Sequence, residues 1–437
     1  MPLIPRAVIE ELAASFTAGR RPVAACDVDP LELARAADGT FGPVRFFSNP
    51  EGEATVSLGT AQRFVAAGAD RFTRLRDVLD GTLPHRRALV GFSFSDAGPT
   101  DGAWDGFAAA EVVLPVVVFT TRRDGDGWSG TMEIAAEVDD PADVLAALAD
   151  LAAPAPPRIP DVGDHVVASH PSVTAWRLEV AEAVDAIRSG SFDKVVLARA
   201  VTVASALRPR PFDLLAHLVS AYPRCYGFGW GSGAATFVGA SPELLVSRSG
   251  EIVRSNPLAG SARRGEGDVE DREIGRALMA SDKDRLEHAI VVDDVAARLG
   301  AYTSDLTVPA EPSLRRMATV QHLSSKIEGR LSGPTHLFDL VAALHPTPAV
   351  GGTPREEAVR FIEKAEGIDR GWYTGGVGWV DGAGDGEVAI GLRCGLLGSD
   401  RAVVYAGAGI VADSDPDAEL VETRLKFRPL LELLAAT

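Results

Sequence analysis

Lysine is scarce in this chain. Of 43 basic residues only five are lysine (Lys194, Lys283, Lys326, Lys364 and Lys426), and the rest are arginine. With its wealth of alanine and glycine, this is the usage of a GC-rich genome that writes arginine by default. A lysine then marks a position where arginine would not serve. Cysteine is scarcer still. Cys26, Cys225 and Cys394 lie far apart, which leaves no disulfide framework and no cysteine metal spacing and fits a reducing cytoplasm. Long apolar runs are missing too. The best, "VVLPVVVF", is short and carries Pro115, well below the roughly 18 residues that read as a membrane span. The opening "MPLIPRAVIEELAASF" reads as an amphipathic segment rather than a signal peptide. Positive charge is deficient, with 43 basic against 61 acidic residues and a formal net charge of -18. Phosphate contacts need basic surface, so broad nucleic-acid binding is excluded. An anionic small substrate would need a locally positive pocket inside an acidic body.

What is present is core-forming material. The 437 residues are 46% hydrophobic and 24% charged, enough for a large buried interior. Residues 1–155 read as mixed strands and helices, with strand-like "ALVGFSFSD" and "EVVLPVVVF" and a helix in "PADVLAALADLAAPAPP" that runs into the linker-like "APAPPRIP". From residue 171 the pattern is denser. "PSVTAWRLEVAEAVDAIRSGSF" has helical spacing with Gly190 as its stop, and "DKVVLARAVTVAS" reads as a strand. The segment Asp268–Gly300 reads as a helix broken near Ser281-Asp282, and further strands are expected in "VQHLSSKIEGRL", "YTGGVGWVD", "GEVAIGLRCGLL" and "RAVVYAGAGIV". A last amphipathic helix is expected from Pro416 to Leu434. Strands come in runs with hairpin spacing, which predicts an α+β fold with antiparallel sheets.

The C-terminal "YAGAGIVADSDPDAELVETRLK" sets a glycine-rich strand against an acidic helix. Gly407, Gly409 and Ala412 fit a loose dinucleotide fingerprint, but that motif needs a second parallel strand after the helix, and none follows. In the helix, Asp415 suits the N-cap and Pro416 the first turn. Glu419, Glu422 and Lys426 share a face. They read either as a surface ion pair worth about 0.2–0.5 kcal/mol or as carboxylates for a hard cation such as Mg2+. Elsewhere each candidate has a plain reading beside a chemical one. Glu287 beside His288 is a solvated acid or a second metal ligand. Lys194, heading an apolar strand, is an edge lysine or a buried amine able to act as a base. Glu243, in "ASPELLVS", is a turn residue or an acid. Gly260 and Ser261, in the loop-like "SNPLAGSARRG", are a turn or backbone donors for a carboxylate. His345, in "LHPTPAVGGTP", is a rigid helix stop or part of a site. Arg393 is a lone charge in an apolar strand and needs a partner, for which an anionic ligand would serve.

In chain order, Lys194, "SPELL", "PLAGSARRG", "EHAIVVDD", "LHPTPAVGGTP", "GEVAIGLRC" and "AGAGIVADSDPDAELVETRLK" resemble the chorismate-utilising enzymes, which include the isochorismate, salicylate, anthranilate and aminodeoxychorismate synthases. The resemblance covers residues 171–430; residues 1–155 match loosely. It implies one large α+β fold, with helices outside antiparallel sheets, that takes in both stretches. It also implies a monomer acting in the cytoplasm on chorismate, with no nucleic-acid or membrane partner. By resemblance Lys194 is the base for water and Glu243 the acid at the 4-hydroxyl. Glu287 and Glu422 hold Mg2+, and Glu419 stands nearby. Gly260, Ser261, His345, Ala349, Arg393, Gly407 and Lys426 meet the substrate. The glycines of "GAGIV" are expected to let substrate lie on bare backbone. Anthranilate synthases lack the lysine, and the nucleophilic lysine of aminodeoxychorismate synthases is replaced here by Ala259. The resemblance therefore points to isochorismate synthase. Salicylate synthase is the alternative, because Tyr373 stands where phenylalanine is expected. A silent chorismate-binding protein is a further one, against which Lys194 and Glu243 argue.

Overall fold

The computed structural model describes residues 1–437 apart from 80–85, 136–137, 139, 161–164, 206–208, 234 and 436–437. The described strands form antiparallel sheets of twelve, nine and three strands, as the hairpin spacing predicts. The largest runs in the order Val23–Cys26, Gly127–Ile134, Val117–Asp124, Glu53–Leu58, Val44–Ser48, Tyr226–Ser232, Ala235–Ser241, Cys394–Leu397, Arg401–Ile410, Lys194–Ser205 and Gly352–Thr353, with His165–His170 also paired to Lys194–Ser205. The nine-stranded sheet includes Leu244–Ser249, Gly386–Ile390, Gly376–Asp381 and Arg87–Phe92 as successive neighbours. The small sheet orders Leu258–Arg263, Val320–Ser324 and Ser313–Arg316.

Residues on either side of the proline-rich stretch are hydrogen-bonded neighbours in both large sheets. Phe47 faces Phe228, and Val90 faces Gly378. Side chains add to this: Arg35 pairs with Asp213 at 2.6 Å, both buried, and the Trp230 indole donates to Glu111 at 2.9 Å. An aromatic core drawn from the whole chain fills the interior. Trp372 is fully buried, with ring centroids 5.0 Å from Trp230 and 5.1 Å from Phe107.

The helices follow the sequence closely. Val173–Arg188 stops before Gly190, whose φ of 82° suits glycine. Asp268–Ala280 and Asp282–Gly300 are separated at Ser281, whose side chain caps the second helix by accepting from the Asp284 amide. Pro416–Leu434 begins at Asp415, which accepts from the Asp417 and Ala418 amides.

The strands depart from the sequence reading in one consistent way. Three runs read as single strands are each two, and the halves belong to different sheets. "EVVLPVVVF" breaks at Pro115 into Ala110–Leu114 and Val117–Asp124. "VQHLSSKIEGRL" breaks after Ser324, and "GEVAIGLRCGLL" breaks at Arg393, whose φ is 49°. Apolar periodicity reports a buried strand but not which sheet it joins. "PLAGSARRG" is also not the loop expected from its small residues. Leu258–Arg263 is a strand, with its register shifted between Ala259 and Ser261 around Gly260 at φ 67°.

Trp372→Ala should cost about 3–5 kcal/mol, the usual range for emptying a buried aromatic site. Guanidinium unfolding followed by circular dichroism measures it; a loss under about 1 kcal/mol would mean the core collapses freely around the gap.

Candidate active site

A small cavity of ≈60 Å³ lies where the three sheets meet. Its walls include Glu243, Gly260, Ser261, Glu287, Ala349, Arg393, Gly407, Glu422 and Lys426. The structure therefore brings together most of the residues singled out from sequence. Lys194, Glu419 and His345 are not on the cavity surface. Lys194 heads its strand at zero exposure, behind Gly409. Glu419 is buried against Lys283 at 3.1 Å. His345 lies behind Thr374, whose carbonyl it meets at 3.0 Å through Nε2, with its ring edge-on to Phe92.

Three of the five lysines converge here, each on an acid. Lys194 Nζ is 3.0 Å from Glu287 Oε1, Lys283 meets Glu419, and Lys426 Nζ is 2.5 Å from Glu422 Oε1. Lys326 and Lys364 are exposed. The Glu422–Lys426 pair is the i,i+4 contact of the plain reading, but it faces the cavity instead of open solvent, and Lys426 also donates to the Gly407 carbonyl at 3.0 Å. Burial pushes the Glu287 carboxyl up and is outweighed by Lys194, then Lys426 and Lys283, which hold it below the usual range. Glu419 is raised by its burial and by Glu422.

Gly407 and Gly409 line the cavity and also make room for side chains packed against their strand. Strand Arg401–Ile410 pairs with Lys194–Ser205, setting Gly409 against Val196 and Gly407 against Ala198. A Cβ at Gly409 would stand 2.3 Å from a Glu287 oxygen and 3.1 Å from Lys194 Cε. One at Gly407 would meet the Tyr373 hydroxyl at 2.8 Å. The bare backbone at Gly409 makes room for the Lys194–Glu287 pair, and that at Gly407 for Tyr373.

Glu243 sits at the joint between Ala235–Ser241 and Leu244–Ser249, 3% exposed. Burial pushes its carboxyl up to about 8, only partly offset by the Leu258 amide at 3.4 Å and by Lys194, Lys426 and Arg393. It is therefore neutral at physiological pH. Arg393 is a buried guanidinium with no ion pair among the described residues. Its Nη2 donates to His322 Nε2 at 3.0 Å. An arginine can only donate, so Nδ1 of His322 carries the proton and faces the Gly260 carbonyl at 3.2 Å and Ser261 Oγ at 3.0 Å. Burial and the Arg393 charge hold His322 well below its usual range, and so neutral.

Sequence reasoning missed His322 and Thr374. A histidine inside the apolar "VQHLSS", two residues before a break, was the available signal for the first. Thr374 gave none. With Arg393 it makes up the non-glycine residues at positive φ (61° and 49°) among those described, and both line the cavity. Backbone strain of this kind collects at functional sites.

The pH dependence of stability follows from Glu243. Its proton leaves the unfolded chain near the ordinary 4.5 and the folded chain near 8. Between those values the folded state holds more protons, so its stability falls as pH rises. Glu243→Gln removes that penalty, and its advantage over the wild type in thermal unfolding should grow from pH 5 to pH 8. Parallel curves would mean Glu243 ionises freely when folded.

Comparison with known proteins identifies the family. The family model for chorismate binding enzymes matches residues 20–435. The salicylate biosynthesis isochorismate synthase of Pseudomonas aeruginosa is 37% identical over 427 residues, covering 94% of this chain and 88% of that protein. The isochorismate synthase MenF of Bacillus subtilis is 35% identical, covering 93% and 91%. The solved structure of MenF, the menaquinone-specific isochorismate synthase from Escherichia coli, superposes with a TM-score of 0.81 at 25% identity over 98% of this chain and 100% of that one. With the family model spanning nearly its whole length, the chain belongs to the chorismate-utilising enzymes.

Proposed function

We propose that the protein is an isochorismate synthase, which adds water at C2 of chorismate and expels the 4-hydroxyl, with Mg2+ as cofactor. The observation that carries this reading is a buried glutamate, Glu243, in the cavity wall with a fully buried lysine, Lys194, just behind Gly409 of that wall, in a chain that otherwise writes arginine. The similarity to isochorismate synthases over nearly the whole length supports it.

In this mechanism Lys194 takes a proton from water as the water oxygen bonds to C2. The ring double bonds shift, the C4–oxygen bond breaks, and Glu243 gives its proton to the departing hydroxyl, which leaves as water. Charge and atoms balance. The Glu287 carboxylate lies 3.0 Å from the Lys194 amine. Arg393 and Lys426 bind the two substrate carboxylates, with backbone at Gly260 and Ser261, and His322 aims the guanidinium.

The residues fit Mg2+. Glu287 and Glu422 come from separate helices and line one cavity. Among the described residues no cluster of three or more His, Cys, Asp or Glu forms a metal cage, and magnesium commonly takes one or two carboxylates and keeps several waters. When bound it would offset the repulsion between those acids and neutralise the ring carboxylate. Glu419, held by Lys283, would act through water.

The salicylate alternative rests on Tyr373. Burial pushes its hydroxyl well above neutral pH, so it offers no base for a second step.

Incubation with chorismate and Mg2+, followed by chromatography, should give isochorismate without pyruvate. Chorismate and isochorismate should converge on one ratio from either side. Salicylate and pyruvate appearing as fast as chorismate disappears would replace this reading with the salicylate one. EDTA should abolish turnover and added Mg2+ restore it; full activity in EDTA would remove the metal from the account.

A further inference from the structure

A second cavity of ≈720 Å³ lies behind the catalytic one. Its size falls within the range of small-molecule sites. One wall is apolar, with Phe72, Phe94, Val359 and Ile362. The other presents two guanidinium groups. Arg71 is 3% exposed; Nη2 donates to the Ser93 carbonyl at 3.1 Å, while Nε and Nη1 are buried with no hydrogen-bond partner. Arg355 donates to the Ala343 and Leu344 carbonyls, and its buried Nε has no partner. Neither arginine forms an ion pair among the described residues.

Leaving a buried donor of a charged group unsatisfied is costly, and a planar guanidinium matches a carboxylate best. Burial lowers both groups to about 10, which leaves them cationic at neutral pH. Of the described acids on the cavity wall, Asp96 acts on Arg71 through its charge, and none forms an ion pair with Arg71 or Arg355. Glu366 is taken by Arg370, and Asp369 accepts from the Asp101 amide at 2.8 Å. Asp96, Glu356 and Glu363 are exposed at the mouth. Those rim acids disfavour a dianion.

We propose that this cavity is a binding site for a small aromatic monocarboxylate, with its carboxylate on Arg71 and Arg355 and its ring against Phe72 and Phe94. Two of its residues contact Thr374 in the wall of the catalytic cavity. His345 contacts the Thr374 carbonyl, and Arg370 donates to Thr374 Oγ1 at 3.3 Å and to Val196 O at 2.7 Å. Occupancy there bears on the strained Thr374 without entering the chorismate site.

Benzoate is the probe. Titration calorimetry should find one benzoate bound per chain, with the same affinity before and after equilibration with excess chorismate. Arg71→Gln should weaken binding about tenfold or more, the scale of one lost charge-assisted contact. Arg393→Gln, in the catalytic cavity, should leave it unchanged. Should Arg71→Gln fail to fold, Val359→Trp decides: it fills the cavity from a half-buried helix position and keeps the buried charge. Absence of binding, displacement by chorismate, or unchanged affinity in Val359→Trp would overturn the proposal. Each readout is independent of which product the enzyme makes.

Discussion

A lysine side chain with no solvent exposure, held 3.0 Å from a glutamate at the head of a sheet strand, is the constraint around which the site is built. Burying that pair is expensive unless the partners stay close, and breaking it leaves an uncompensated charge. The pair fits because strand Arg401–Ile410 carries no side chain at Gly409, where a methyl group would strike the glutamate oxygen. It is flanked by Lys283–Glu419 and Lys426–Glu422. A chain with net charge -18 thus gathers three lysines and Arg393 at one place; each lysine is matched by a glutamate, which leaves Arg393 without an ion pair among the described residues.

The cavity forms where the chain changes sheets. Glu243 stands between a strand of the twelve-stranded sheet and one of the nine-stranded sheet, and Arg393 stands where the chain crosses back. Leu258 begins the three-stranded sheet just after the chain leaves the nine-stranded one. At such joints the backbone leaves its ladder, so amides and side chains are free to face a ligand instead of a neighbouring strand. The sheets on either side hold them rigidly. The same joints explain the positive φ at Arg393 and the register shift at Gly260.

Much of this was legible in residues. Helix ends at Gly190, Ser281 and Asp415 followed from local capping chemistry, which is why they could be placed from sequence. Of the five lysines that scarcity singled out, Lys426 lines the cavity and Lys194 and Lys283 pair with acids close to it. The crossings were illegible, because a fully buried strand shows the same apolar run whichever sheet it enters. The packing role of the "GAGIV" glycines was illegible for a related reason: the atoms nearest their missing Cβ positions come from Glu287 and Tyr373, distant in sequence. His322 went unseen because its role exists only once Arg393 is beside it.

The central claim is that Lys194 serves as the base for water and is not merely a charge in the core. The most direct test is Lys194→Arg, assayed for isochorismate formation with chorismate affinity followed separately by calorimetry. Arginine keeps the positive charge beside Glu287 but stays protonated. Binding should persist while turnover falls by about 10²-fold or more, a typical general-base contribution. Hydration at the wild-type rate would make the lysine structural and place the base elsewhere.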